Sequence, residues 1–184
     1  MRIIGGKAKG RTLHFPSGSK ERPTSDFLRE ALLNLLGSLQ NKTFLDLFAG
    51  SGSVGLEAAS RGAQGVYFVE KNKHLVEVIK KNIQTCCLDK NCWIIAGDIE
   101  FGLRDLFRKK YEFDVMFADP PYNRELVGKT LKLLSKYKIL RKDGTIIIQH
   151  SVKETFSDLD DNIYQTDQRK YGDDALTFLK MEWK

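Results

Sequence analysis

Four consecutive residues, Asp119, Pro120, Pro121 and Tyr122, follow an apolar run and combine hydrogen-bond acceptors with an aromatic ring. Two prolines fix φ and donate no backbone hydrogen bonds, so Asp119 and the nearby carbonyl groups should form a rigid set of acceptors. Such acceptors suit a planar exocyclic amine, and holding the amine in line with an electrophilic carbon favours group transfer. Tyr122 can stack on the base that carries the amine. The alternative is a turn that simply follows a strand.

A second group of residues has the spacing of a nucleoside site. Gly50, Gly52 and Gly55 form a G-x-G-x-x-G pattern directly after the apolar run 43–48, so the backbone can turn sharply and approach a ligand closely. Glu70 ends the next apolar run, where a carboxylate can accept hydrogen bonds from two ribose hydroxyls. Glycine spacing alone also occurs in structural turns. The order strand, loop, helix, strand and acid favours a cofactor site.

Asp46 distinguishes between two possible cofactors. A carboxylate near the carboxyl end of the first strand would repel the pyrophosphate of NAD, but it can bind the ammonium of S-adenosylmethionine. Alternatively, Asp46 caps the loop that follows. Asp98, after the third apolar run, can accept a hydrogen bond from an adenine amino group or cap the helix that begins near Ile99. The two roles of Asp98 are compatible.

The elements that would position these residues alternate along the chain. A helix pattern begins near Asp26 and ends at Gly37, and strand patterns at 43–48, 66–70, 92–96, 113–118 and 145–149 are separated by helix patterns. This alternation predicts a parallel α/β sheet that holds ligands at the carboxyl ends of its strands. Strand-like runs at 162–165 and 175–183, with a polar turn between them, predict an antiparallel edge, which fits a methyltransferase better than a dinucleotide domain.

Length and composition narrow the possible functions. With 184 residues, residues 1–184 should form a single domain, too small for a dehydrogenase with a separate substrate domain. No apolar run is long enough to span a membrane and no secretory signal follows Met1, so we expect a cytoplasmic protein. The three cysteines have no paired C-x-x-C and no histidine at ligand spacing, which predicts reduced structural thiols and no metal site.

Positive charge is concentrated in the first 24 residues, which we expect to form a basic hairpin or arm. The chain carries a net charge of +6, and up to Arg22 it has six Lys or Arg and one acid. Basic residues interspersed with glycines suit a nucleic-acid backbone. The alternative is a solvated arm that aids solubility. The predicted RNA contacts are Arg2, Lys7, Lys9, Arg11 and Arg22.

Several segments together resemble a known family. MRIIGGKAKGR, RPTSDFLREALLNLL, FLDLFAGSGSVGLEAASRGA, FADPPY and RKYGDDALTF resemble segments of the bacterial 16S ribosomal RNA guanine-N2 methyltransferases, the small-subunit rRNA methyltransferase D family. The resemblance implies a Rossmann-like class I fold with a mostly parallel seven-stranded sheet and S-adenosylmethionine as methyl donor. It further implies a monomer that acts on 16S rRNA or the small ribosomal subunit, and it adds Thr24 to the RNA contacts. The candidate cofactor residues are Asp46, Phe48, Gly50, Gly52, Glu70, Lys71, Asp98 and Ile99.

Two other functions remain open at this stage. A D-P-P-Y motif also serves adenine amines, so an N6-adenine DNA methyltransferase is one alternative. No separate target-recognition domain is visible for reading a DNA sequence. The other alternative is a catalytically silent RNA-binding protein with the same fold, against which the intact Asp46, Glu70 and DPPY argue.

Overall fold

A central sheet organises the fold. A computed structural model describes residues 1–16, 25–121, 124–154 and 162–183, and seven strands form one sheet in the order β3-β2-β1-β4-β5-β7-β6. Strands β1 to β5 pair in parallel, and β7 pairs antiparallel with both β5 and β6. The predicted parallel sheet with an antiparallel edge is therefore confirmed. The strands are β1 Thr43–Leu47, β2 Gly65–Glu70, β3 Cys92–Ala96, β4 Phe113–Ala118, β5 Leu140–Ser151, β6 Ile163–Tyr171 and β7 Asp174–Met181.

Helices cover both faces of this sheet, because alternate side chains of the buried strands point to opposite sides. Phe44 of β1 belongs to one core cluster and Leu45 to the other. The first cluster includes apolar residues of α1, α2 and α3, and the second includes those of α4 and α5. The helices are α1 Asp26–Leu36, α2 Ser53–Ser60, α3 Lys73–Cys86, α4 Ile99–Arg108 and α5 Arg124–Lys136, with a short 3₁₀ helix at Asp89–Asn91.

Two strands are longer than the apolar pattern predicts. β5 begins at Leu140 instead of residue 145, because Leu140 pairs with Phe113 ahead of an irregularity in the β4–β5 register. β6 continues through a polar stretch to Tyr171, since its residues pair with the buried strand β7. The turn between β6 and β7 is therefore confined to Gly172 and Asp173.

The first residues of the chain form a hairpin against the main fold. Arg2 and Thr12 pair antiparallel, and the amide of Ile3 donates to the carbonyl of Arg11 at 2.9 Å. Elsewhere, the three cysteines are free thiols, and burial raises the pKa of Cys86 to about 11. None of the described helices is long and apolar enough to cross a membrane.

Candidate cofactor and amine-binding site

The parallel strands bring the predicted site residues to one edge of the sheet. β1 lies between β2 and β4, and the register pairs Asp46 with Phe68 and with Phe117. Because parallel strands end at the same edge, the carboxyl ends of β1, β2, β3 and β4 meet there. Asp46, Glu70, Asp98 and Asp119 therefore lie at one edge, although they are spread over 74 positions of the chain.

Asp46 is almost completely buried, with 1% of its surface exposed. Its Oδ2 accepts a hydrogen bond from the amide of Gly55 at 2.8 Å. Burial raises the pKa of Asp46 to about 8; the Gly55 amide opposes this rise, and the charges of Asp119 and Glu70 add to it. Burial therefore disfavours the charged form of this carboxyl group, and an approaching cation would favour it. The capping role considered from the sequence is present, and binding of a ligand ammonium stays a prediction.

The loop between β1 and α2 is built from residues in the left-handed region. Phe48 has φ 60° and Gly50 has φ 57°, and Gly52 caps α2 with φ 79°. A non-glycine residue such as Phe48 in this region is strained, and such strain is concentrated at functional sites. At Gly55 the requirement is space, because a Cβ there would overlap the ring of Phe68. The glycines thus let the loop turn sharply and let α2 pack closely on β2.

Glu70 connects this loop to the end of β2. Its Oε2 accepts from the amide of Gly50 at 2.9 Å, and its Oε1 accepts from the amide of Asn72 at 2.7 Å. Each carboxylate oxygen can accept a further hydrogen bond. The side chain is 7% exposed, so a ribose that binds here would approach a carboxylate already fixed in place.

The other predicted cofactor residues adjoin these carboxylates. Asp98 caps α4, because its Oδ1 accepts from the amide of Phe101 at 2.8 Å, which leaves Oδ2 outside the cap. Ile99 is buried, Phe48 is half-buried and Lys71 is exposed. The described structure thus places the whole predicted set along the carboxyl ends of β1, β2 and β3.

Asp119 follows β4 on the other side of β1. It is half-buried, Pro120 is buried and Pro121 is exposed, and the charge of Asp119 raises the pKa of Asp46. Asp119 comes two residues after Phe117, which pairs with Asp46, so the two carboxyl groups lie at the same edge of the sheet on neighbouring strands. Tyr122, the last residue of the predicted motif, lies outside the described residues.

The amino-terminal arm places its cations on the surface. Arg2, Lys7, Lys9 and Arg11 are exposed, whereas its apolar residues are buried in the core: Ile3 at 1%, Ala8 at 3% and Leu13 at 3% exposure. Arg22 and Thr24, the other predicted RNA contacts, lie outside the described residues. The basic surface therefore rests on a rigidly anchored segment.

Glu57 and Ser60 of α2 anchor this arm, a role that the sequence did not reveal. The fully buried Glu57 accepts from the amides of Ile4 at 2.8 Å and Gly5 at 2.7 Å. Ser60 Oγ accepts from the amide of Ala8 at 2.9 Å. Their partners are more than 50 positions away in the sequence, so no local pattern could have indicated these contacts.

Asn82 of α3 ties the far end of the arm to the cofactor loop. Its Oδ1 accepts from the amide of His14 at 2.6 Å, and its Nδ2 donates to the carbonyls of His14 and Ser51, each at 3.0 Å. One buried amide thus connects the arm with the loop that contains Gly50 and Gly52. Among the described residues, no group of three His, Cys, Asp or Glu side chains could hold a metal ion.

The chain is similar to several known proteins and solved structures. A putative rRNA methyltransferase of Bacillus subtilis, YlbH, is 33% identical over 98% of both chains. The ribosomal RNA small subunit methyltransferase D of Escherichia coli K12 is 34% identical over 83% of this chain and 76% of its own length. The solved structure of the Escherichia coli putative methyltransferase yhhF is 31% identical, with a TM-score of 0.86 over 99% of this chain and 98% of that chain.

These matches confirm the predicted fold class. The family model described as conserved hypothetical protein 95 matches residues 1–180. The chain therefore belongs to this family, which is that of the ribosomal RNA small subunit methyltransferase D proteins.

Proposed function

We propose that the protein transfers a methyl group from S-adenosylmethionine to the exocyclic N2 amine of one guanine in 16S rRNA, in the cytoplasm. The observation that carries this proposal is the position of Asp119 and Pro120, beside Asp46 at the carboxyl ends of β4 and β1. Methylation of an amine needs a hydrogen-bond acceptor for that amine next to a protein carboxylate that holds the cofactor. The names of the relatives, which refer to ribosomal RNA, support the choice of polymer.

The proposed cofactor contacts follow from the arrangement of the acids. Glu70 accepts hydrogen bonds from the ribose hydroxyls, Asp46 binds the ammonium and Asp98 accepts from the adenine amino group. When bound, S-adenosylmethionine supplies an electrophilic methyl carbon at its sulfonium centre. Because Asp46 is buried, its attraction for the ammonium is less screened by solvent than it would be at the surface.

The proposed role of Asp119 concerns the lone pair of the target nitrogen. The N2 lone pair of guanine is delocalised into the ring, and two N–H groups point in the plane of the base. Asp119 and the neighbouring carbonyl accept hydrogen bonds from these N–H groups and hold the nitrogen in line with the methyl carbon. Nitrogen gains the methyl group and loses one proton, which the Asp119 carboxylate accepts.

The arm supplies the proposed contacts to the RNA backbone. Four exposed cations, Arg2, Lys7, Lys9 and Arg11, lie on a segment whose buried residues fix it against α2. The carbonyl and amide of His14 hold the same segment next to the cofactor loop through Asn82. RNA bound along the arm would therefore lie next to the edge where Asp119 accepts the amine.

Methyl transfer to defined polymers tests this proposal. We would incubate the protein with S-adenosylmethionine labelled in its methyl group and with unmodified naked 16S rRNA, unmodified small subunits or adenine-containing duplex DNA. We expect label in the rRNA of one or both ribosomal substrates and none in DNA. The control is Asp119→Ala, which removes the acceptor for the amine and should incorporate little label. Label in DNA alone would favour the N6-adenine alternative, and no label with any polymer would favour a silent RNA-binding protein.

A further inference from the structure

A cluster of aromatic side chains lies far from the proposed catalytic edge, where β2, β3 and β4 begin. Tyr67 stacks on Trp93 with ring centroids 4.9 Å apart, and Tyr111 lies 5.1 Å from Tyr67. Trp93 is 44% exposed and Tyr111 is 40% exposed. Exposed aromatic faces of this kind are the surfaces on which proteins stack unpaired bases.

These rings line a cavity of about 340 Å³ together with Lys110 and Arg141. This volume lies at the small end of the roughly 300–1,000 Å³ found for small-molecule sites, so it suits a group of nucleoside size. Lys110 is exposed and forms no ion pair with any described residue. Arg141 is paired with Asp114 at 3.3 Å. Glu112 also lines the cavity, so the cavity as a whole is not strongly cationic. The exposed Lys110 is the side chain that can neutralise the phosphate of a stacked nucleotide.

The basic arm runs from the catalytic edge toward this cavity. At one end, Asn82 holds His14 against Ser51 of the cofactor loop. At the other end, the amide of Lys7 donates to the carbonyl of Ser60 at 2.8 Å. Between these two attachments lies α2, whose 8 residues span about 12 Å.

The Lys7 end of the arm is next to the strands that form the cavity. Gln64 and Gly65, shortly after the Ser60 attachment, line the cavity. Burial raises the pKa of Cys92 to about 12, and the charge of Lys7 opposes this rise, so Lys7 lies near the start of β3. Cys92 belongs to the core cluster that includes the arm, whereas Tyr67, which stacks on Trp93, packs against the other core cluster. The arm and the cavity therefore lie on opposite faces of the sheet, and RNA lying on the arm would reach the cavity by passing over the edge where Gln64 and Gly65 lie.

We propose that this cavity is a second RNA-contact site, in which an unpaired base stacks on Trp93 and Tyr111 while Lys110 neutralises the adjoining phosphate. The proposal rests on the proposed function, because it assumes that the substrate is RNA. The cavity helps to hold the RNA and takes no part in methyl transfer. Of the residues that line it, Gly65 lies about 17 Å and Tyr67 about 10 Å from Glu70 along β2.

Tryptophan fluorescence tests this site without any need for catalysis. The chain has two tryptophans, Trp93 and Trp183, so Trp183→Phe leaves Trp93 as the only tryptophan. We would titrate this variant with a single-stranded RNA oligonucleotide of about 12 nucleotides. Stacking should quench the fluorescence of Trp93. The dissociation constant obtained from this quenching should match the one obtained from a label on the RNA. Binding by the labelled RNA without any quenching would overturn the proposal.

Affinity measurements provide an independent test with a matched control. Trp93→Leu keeps an apolar side chain but removes the aromatic face, and it should weaken RNA binding about 5- to 150-fold, as expected for one stacked base. The slope of affinity against salt concentration should not change, because no phosphate contact is lost. The control is Phe107→Leu: Phe107 is 49% exposed and lies outside the cavity, so its loss should leave affinity unchanged.

Two outcomes separate this proposal from its rivals. If Trp93→Leu weakened binding to assembled small subunits but not to naked rRNA, the cavity would bind a protein, and the RNA proposal would be wrong. If Trp93→Leu bound naked RNA with the affinity of the parent protein, and the parent protein methylated that RNA, the cavity proposal would fail and the proposed function would stand. Absence of rRNA methylation by the parent protein would instead refute the proposed function, whatever the fluorescence showed.

Discussion

The carboxylate of Glu70 accepts a hydrogen bond from the amide of Gly50, 2.9 Å away and 20 positions earlier in the chain. The same side chain accepts from the amide of Asn72 at 2.7 Å. A single carboxylate therefore fixes the loop after β1 and the turn after β2 before any ligand arrives. A ligand that binds between them meets a site whose geometry is already set, which lowers the entropy cost of binding.

Replacing Glu70 should weaken cofactor binding. Glu70→Ala removes the proposed ribose acceptor, and the loss of a charged hydrogen-bonding group should cost roughly 1.5 to 3 kcal/mol of binding free energy. Calorimetric titration with S-adenosylmethionine measures this directly. The control is Glu77→Ala on α3, whose side chain is 68% exposed. Because Glu70 also holds two backbone amides, thermal unfolding should confirm that the variant is folded; unchanged affinity in a folded variant would remove Glu70 from the site.

Asp46 should make the stability of the protein depend on pH. Folding raises its pKa from 3.8 to about 8, so between these values the folded protein holds a proton that the unfolded chain has released. Asp46 therefore stabilises the folded protein at low pH. This contribution declines as the pH rises to about 8, and above that pH it does not change further. Asp46→Asn should flatten this decline in urea unfolding measured across that range. Asp143→Asn, a change at an exposed carboxylate, should leave it intact.

The cations of the arm should control the salt dependence of RNA binding. Neutralising Lys7, Lys9 and Arg11 together removes three phosphate contacts, so the slope of log affinity against log salt should change by about 2 to 3 units. Cofactor affinity should not change, since the buried anchors of the arm stay in place. The control with the same loss of charge is Lys129→Gln, Lys132→Gln and Lys136→Gln on α5, all exposed. An unchanged slope in the arm variant would mean that the arm is only a solvated feature.

Asp119 should affect chemistry more than binding. Asp119→Ala removes an acceptor that the target amine needs during transfer, so single-turnover methylation should fall by a factor of about 100 or more. Cofactor titration of the same variant should show that S-adenosylmethionine still binds. Normal turnover in the variant would exclude Asp119 from the reaction.

Tyr122 should act through its ring. Tyr122→Ala loses a stacking surface, which costs on the order of 1 to 3 kcal/mol per base, so the Michaelis constant for RNA should rise more than the single-turnover rate falls. Tyr122→Phe keeps the ring and should retain most of the activity. Equal losses in the two variants would show that the hydroxyl matters and that stacking is not the role of this residue.

Much of the fold could be predicted because local patterns dominate in the parallel core. The runs at 92–96 and 113–118 coincide with β3 and β4, since both runs are mostly apolar and β4 is largely buried on both faces. The second half of β6 was not predicted, because it is polar and forms a strand through its pairing with β7. Leu140 likewise joins β5 through its pairing with Phe113.

The candidate site was predictable to the extent that its residues follow strands. Asp46, Glu70, Asp98 and Asp119 stand at strand ends, and parallel pairing alone brings such positions together. The roles of Glu57 and Asn82 were not predictable, because their partners Ile4 and His14 are 53 and 68 positions away. Such long-range hydrogen bonds depend on the packing of the arm and leave no periodic trace in the sequence.

The identity of the methylated nucleoside tests the central claim most directly. Unmodified small subunits and naked 16S rRNA would be incubated with the protein and with S-adenosylmethionine carrying a heavy-isotope methyl group, and the digested nucleosides would be separated and identified by mass spectrometry. We expect the labelled methyl group on the N2 amine of guanosine, at a single position of the RNA. Label on the N6 amine of adenosine, on a ribose or on a ring carbon would contradict it.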